Sequence, residues 1–234
     1  MKAIDVEKEM KKLGNKEKAK ILSGFFKTGK GEYGEGDVFL GVMVPVSRKI
    51  AVKYGEMPLS EIDILLKNKF HEIRLVGVFI LVHKYKKFKN TEEKKLIVDF
   101  YLAHAKYINN WDLVDLSSHY ILGNYLKNKN RKILLTLANS KNVWEKRIGI
   151  MSTFAFIYSG ESEWTFKIVK ILMKDKHDLI KKACGWMLRE VGKRVSEKEL
   201  CNFLDIYYKH MPRTMLRYSI ERLPEKKRLF YLKK

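Results

Sequence analysis

The chain has 234 residues, 46% of them hydrophobic, which suffices for one compact domain or an unbroken stack of helical repeats and excludes an intrinsically disordered chain. Lysine and arginine outnumber aspartate and glutamate 48 to 27, so the net charge of +21 points to a polyanionic partner, nucleic acid first. The two cysteines, Cys184 and Cys201, form no CxxC pair, which argues against a disulfide scaffold or a zinc site, and no apolar run approaches the ~20 residues of a bilayer span.

The N-terminal MKAIDVEKEM is too charged for a secretory signal, so a reduced cytoplasm is the expected compartment. KTGKGEYGEGDVFLG at 27–41 then interrupts the helical text and reads as a loop. Residues 24–31, GFFKTGKG, approach the phosphate-cradling GxxxxGK[ST], but Gly31 stands where the magnesium-binding hydroxyl belongs and no strand precedes it. A P-loop is rejected. The glycines either let backbone amides approach a phosphate, with Lys27 and Lys30 adding charge, or permit tight turns. Glu32, Glu35 and Asp37 favour the turns.

Beyond the loop, apolar residues recur at helical spacing, as in Ile62, Leu65, Leu66 and again Leu96, Ile97, Phe100, Tyr101. Pro45, Pro58 and Pro212 suit helix starts, and Ser60, Thr91, Asn142, Ser162 and Ser196 suit caps or first turns. The chain is therefore all-α. HEIRLVGVFILV at 71, VWEKRIGIMSTFAFI at 143, DLIKKACGWMLREVG at 178 and RTMLRYSIERL at 213 share a polar, basic start followed by an apolar helix. Arg147, Lys182 and Arg217 follow one another at steps of 35, and Arg74 lies 73 before Arg147, leaving room for one repeat near 111. A helix pair of that length cannot bury its apolar face alone, so a HEAT-like helical-repeat solenoid is expected over residues 1–234. On its concave basic face Arg74, Arg147, Lys182 and Arg217 would form a stripe tracking a phosphate backbone. The shared register favours the stripe over four unrelated solvent-facing side chains.

In INNWDLVDLSSHYIL at 108–122 the sign changes: where other repeats carry a base, this one offers Trp111, Asp112 and Asp115. Asp112 reads as an N-terminal cap. Trp111 and Asp115 are four apart, so on a helix a ring and a carboxylate converge on one point, an arrangement suited to a cation. Trp186, four residues after Lys182, falls on the equivalent inner-helix set or else packs in a core, where Trp144 and Trp164 are assigned. The six histidines show no metal spacing and His83 and His104 read as structural. Any catalysis is then metal-free and carboxylate-based.

NNWDLVD at 109–115, WEKRIGI at 144–150, KACGWMLRE at 182–190, FFKTGKGEYGEGDVFLGV near the start and MPRTMLRYSIERLP near the end resemble segments of the AlkD-like DNA alkylation repair glycosylases. The resemblance implies a HEAT-like enzyme that excises purines alkylated at ring nitrogens 3 or 7. It assigns Asp115 as the catalytic carboxylate, Trp111 and Trp186 as walls around the deoxyribose, and Arg147 as a phosphate clamp with Lys182 beside it. No cofactor and no metal are implied, and the expected partner is double-stranded DNA carrying alkylated purines, bound by a monomer away from membranes. Phe25 and Phe26 stand where some relatives carry an aromatic alcohol, which keeps a catalytically silent DNA binder in play, with Tyr33 as a substitute hydroxyl. A protein-binding scaffold is the third reading.

Overall fold

In the computed structural model, described over residues 1–233, the chain forms two compact units, Met1–Ser117 and a second beginning at Ser118. The first contains α1 (Ala3–Lys12), α2 (Lys16–Phe25), α3 (Val44–Lys53), α4 (Leu59–Leu66), α5 (His71–Lys87), α6 (Thr91–Ala103), a 3-10 turn at Ala105–Tyr107 and the short α7 (Trp111–Asp115). The second opens on a π-helical stretch, His119–Gly123, and continues through α8 (Asn124–Leu126), α9 (Ile133–Ala138), α10 (Val143–Ser152), α11 (Phe154–Ile157), α12 (Glu163–Leu172), α13 (Asp178–Arg194), α14 (Glu197–Tyr207), α15 (Arg213–Ser219) and α16 (Glu225–Leu232). Among the described residues the one extended pairing is a single parallel bridge between Val38 and Phe70. No helix among them is long and apolar enough to cross a membrane.

Each unit is organised around one 17-residue helix. In the first, α5 is apolar on all sides and buried from His71 through Val82, with α1, α3, α4 and α6 packed around it. Ile73, Val76, Ile80 and Leu81 are fully buried, each worth roughly 1.5–3 kcal/mol. In the second, α13 buries Ile180, Ala183, Cys184, Met187, Leu188 and Val191, the i, i+3, i+4 stripe of an amphipathic helix, against α10, α12, α14 and α15.

The sequence period is visible in the helix starts: α10, α13 and α15 begin at residues 143, 178 and 213, two steps of 35. Asn142 and Ser196 cap α10 and α14 as expected, each accepting hydrogen bonds from first-turn amides. Thr91 is a first-turn residue whose cap is Asn90, and Ser162 precedes α12 without a side-chain cap bond. Trp144 is core, but Trp164 is only half-buried, with the Lys167 ammonium 4.7 Å from its ring centroid.

Close packing in the second unit depends on Gly185, where an added Cβ would sit 2.5 Å from both the Met215 carbonyl oxygen and the Tyr218 Cβ. Gly185→Ala must push α15 off α13 and is expected to cost about 1–3 kcal/mol. Thermal unfolding followed by circular dichroism should fall by several degrees. Gly24→Ala, whose Cβ would meet nothing within 4 Å on α2, should leave the midpoint unchanged or raise it.

Candidate active site and DNA-contacting residues

α7 starts because Asn110, buried with an extended backbone, accepts the Trp111 amide on its side-chain oxygen at 2.8 Å. It stops after five residues, and Ser117 closes the turn by donating to the Leu113 carbonyl at 2.6 Å while accepting from the buried Tyr101 hydroxyl at 2.8 Å. Trp111 is half-buried, its ring stacked on Phe26 at 5.0 Å and met edge-on by Phe25 at 5.7 Å. Phe25 is itself 62% exposed. Asp115, one helical turn after Trp111, is half-buried. Burial raises the Tyr101 phenol, and the charge of Asp115 adds to the rise.

The position of Asp115 is informative. It is the fifth residue of α7, and Arg147, Lys182 and Arg217 are the fifth residues of α10, α13 and α15. One acid thus occupies the helical register that carries a cation in three other helices.

The three cations have different surroundings. Arg147 is 5% exposed, and its Nη1 donates to the Leu179 carbonyl at 2.6 Å, joining α10 to the first turn of α13. Lys182 pairs with Asp178 at 2.7 Å and remains substantially solvent-facing. Arg217 is exposed on α15. Trp186 lies one turn after Lys182 on α13, half-buried, its indole N–H donating to Glu190 at 3.2 Å and its ring 6.0 Å from Phe154. Glu190 also receives Arg194 Nε at 2.6 Å, so the indole edge is fixed by a carboxylate that is itself held.

Arg74 departs from the stripe. Its side chain is 6% exposed, Nη2 is bound to Asp37, and Nη1 donates to the Asn68 and Lys69 carbonyls. The guanidinium faces the interior because α5 is enclosed at this point, and it is engaged there by Asp37 and two carbonyls.

Its partner Asp37 belongs to a buried cluster that sequence reasoning missed. His71 Nε2 lies 2.8 Å from Asp112 and Nδ1 3.1 Å from Asp37, while Asn110 donates to Asp37 at 2.9 Å. Asp112 serves both ways: its Oδ1 accepts the first-turn Leu113 amide at 2.8 Å, alongside Asn110 as the N-cap residue, and its Oδ2 faces His71 in the interior. Burial alone would lower the His71 imidazole, but the charge and hydrogen bond of Asp112 and the bond to Asp37 outweigh it and raise the group to about 9. Burial would likewise raise Asp37, yet its bond to His71, the Arg74 charge and Asn110 hold it below the ordinary carboxylate range. Glu72, beside His71, accepts from the amides of Leu40, Gly41 and Val42 at 2.8–3.2 Å. Those amides are occupied by a carboxylate, which removes the phosphate-cradle reading from that end of the loop. Gly31, Gly36 and Gly41 adopt positive φ, as turns require.

The second unit also has an open recess of about 730 Å³ between the turn before α10 and the turn before α13. Lys141, Lys174 and Lys176 stand exposed around it, with Lys146 paired to Asp175 at 2.6 Å. Neither turn belongs to the four-residue stripe, and only local lysine clustering between helices hints at it. Among the described residues no group of three or more His, Cys, Asp or Glu is arranged to hold a metal ion.

Residues 6–223 match the model of a family described as DNA alkylation repair enzyme. A solved structure titled "Predicted DNA alkylation repair enzyme from Enterococcus faecalis" superposes with a TM-score of 0.70 at 17% identity, covering 91% of this chain and 97% of that one. At that identity the likeness establishes a shared helical-repeat fold. No curated protein matches the chain.

Proposed function

The chain belongs to the DNA alkylation repair enzyme family, and from that premise we propose that it is a DNA glycosylase acting on positively charged, N3- or N7-alkylated purines in duplex DNA. The observation that carries the reading is Asp115, an acid at the helical register that holds Arg147, Lys182 and Arg217 elsewhere, one helical turn after Trp111. An anion on a surface meant for phosphates is electrostatically unfavourable unless it meets a cation during turnover.

Departure of an alkylated purine supplies that cation. The glycosidic electron pair moves onto the base, quenching its ring charge, and leaves an oxocarbenium-like deoxyribose. A carboxylate beside the anomeric carbon stabilises this charge and orients a water, which adds its oxygen to C1′ and passes its proton to the carboxylate. Because the leaving group is already cationic, no general acid is required. Trp111, on the same helix as Asp115, is the proposed indole wall for the charged sugar, at roughly 0.5–2 kcal/mol. Lys182 and Arg217 meet phosphates directly and Arg147 adds charge from its buried position, with the exposed lysines of the recess extending the contact.

Anisotropy titrations with duplex DNA should show affinity falling steeply with salt, at a log–log slope of about −0.9 per phosphate neutralised. Release of free alkylpurine from methylated duplex separates the enzyme from a silent binder, which would share that slope but leave every lesion in place. A protein-binding scaffold would show neither.

A further inference from the structure

We propose that the buried bridge Asp37–His71–Asp112 sets α7 in place, making His71 and Asp37 positioning residues for the excision reaction. The inference rests on the glycosylase reading of Asp115 and concerns how that residue and Trp111 are held. Five residues make little more than one turn, too few to maintain a helix without tertiary support. The support falls on both sides of Trp111: Asn110 is fastened to Asp37 at 2.9 Å, and Asp112 to His71 at 2.8 Å. Trp111 is thereby clamped between two anchored neighbours, and Asp115 follows one turn later.

The cluster is balanced in charge. The groups facing His71 are Asp37 from the loop, Asp112 from α7 and Arg74 from its own helix, so two carboxylates meet one guanidinium and one imidazolium. Both ring nitrogens face carboxylate oxygens, which only the doubly protonated ring can satisfy. Phe39 stacks on the imidazole at 4.6 Å, Phe26 lies tilted against it at 4.9 Å, and Phe26 stacks in turn on Trp111 at 5.0 Å. Charge and ring stacking thus converge on one indole.

Burying such a set rarely adds net stability over an apolar core of the same volume. What it supplies is a fixed direction for the backbone on which Trp111 and Asp115 sit. The bridge also explains the shape of the glycine-rich segment, because the left-handed turn at Gly36 delivers Asp37 to His71, and Glu72 holds the segment's far end through three amides.

Asp37→Asn keeps the side-chain shape and removes one charge, and His71→Gln removes the bridge. Single-turnover base release by either variant should slow by about 10- to 100-fold, the loss expected from a small misplacement of reacting groups. Duplex affinity of the folded Asp37→Asn protein should change little, while its melting temperature should fall because Arg74 and His71 lose a buried counter-charge. The wild-type rate should fall as pH rises through about 9, when His71 loses its proton, and the fall should move to lower pH in Asp37→Asn. Hydrogen exchange across residues 109–117 gives a readout independent of turnover and should accelerate about tenfold in Asp37→Asn. If His71→Gln does not fold, Asp37→Asn and the wild-type pH profile still decide. An active wild type with unchanged Asp37→Asn rates and unchanged exchange overturns the bridge; no release by wild type, with exchange accelerated as expected, overturns the glycosylase reading and leaves the bridge as a structural device.

Discussion

Asp115→Asn is expected to slow single-turnover base release by about 10²- to 10³-fold, the range seen when one preorganised electrostatic partner of a transition state is removed. The substitution keeps size and hydrogen-bonding reach and deletes the charge, so the loss reports on charge. Duplex affinity should hold or tighten, because one repulsion from phosphate disappears. That opposition of signs separates the catalytic role from a general loss of fold or of DNA binding, either of which would lower rate and affinity together. A variant excising within about threefold of wild type would remove Asp115 from the reaction. Trp111→Ala should also lose rate, but it disturbs the stack on Phe26 and is the less selective probe.

The second large effect concerns stability. His71 is raised to about 9 in the folded protein, against an ordinary value near 6.5. A raised group stabilises the fold fully below its unfolded value and loses that contribution as pH climbs through the folded one. The window therefore runs from about pH 6.5 to 9, and its size is about 3 kcal/mol, a large fraction of the roughly 5–15 kcal/mol that holds a domain together. Urea unfolding of wild type and His71→Gln should show a stability gap that is widest near pH 6 and narrows by about 3 kcal/mol near pH 9.5. A gap that stays constant across this range would mean that the ring does not carry a proton between Asp37 and Asp112.

Much of the helical framework is legible from local pattern. The 35-residue step between Arg147, Lys182 and Arg217 reappears as the starts of α10, α13 and α15, because one amphipathic unit must repeat for each pair to cover its neighbour's apolar face. The segment 27–41 reads as a loop for an equally local reason, its glycines occupying left-handed backbone at 31, 36 and 41.

What local pattern does not supply is the direction in which a charged side chain turns. Arg74 follows an almost identical polar start, yet its helix is enclosed on every side and the guanidinium closes on Asp37, 37 residues earlier in the chain. His71, Asp37 and Asp112 meet across separations of 34 and 41 residues, and none of them carries a motif. A faint signal is present: Asp37 and Asp112 are acids in a strongly basic chain, and each lies in a segment whose pattern is unusual. Asp112 reads as a cap because a first-turn aspartate usually is one. In the fold Asn110 is the N-cap residue, while the aspartate accepts a first-turn amide on one oxygen and holds α7 against His71 with the other.

The most direct test of the central claim is chemical. Duplex DNA carrying 7-methylguanine or 3-methyladenine is incubated with wild-type protein and with Asp115→Asn, and the products are separated and weighed by mass spectrometry. The account predicts free methylated purine from the wild type, matched mole for mole by new abasic sites, and only the spontaneous background from the variant. An intact strand whose base has lost its methyl group, or a lesion still in place under bound protein, would contradict it.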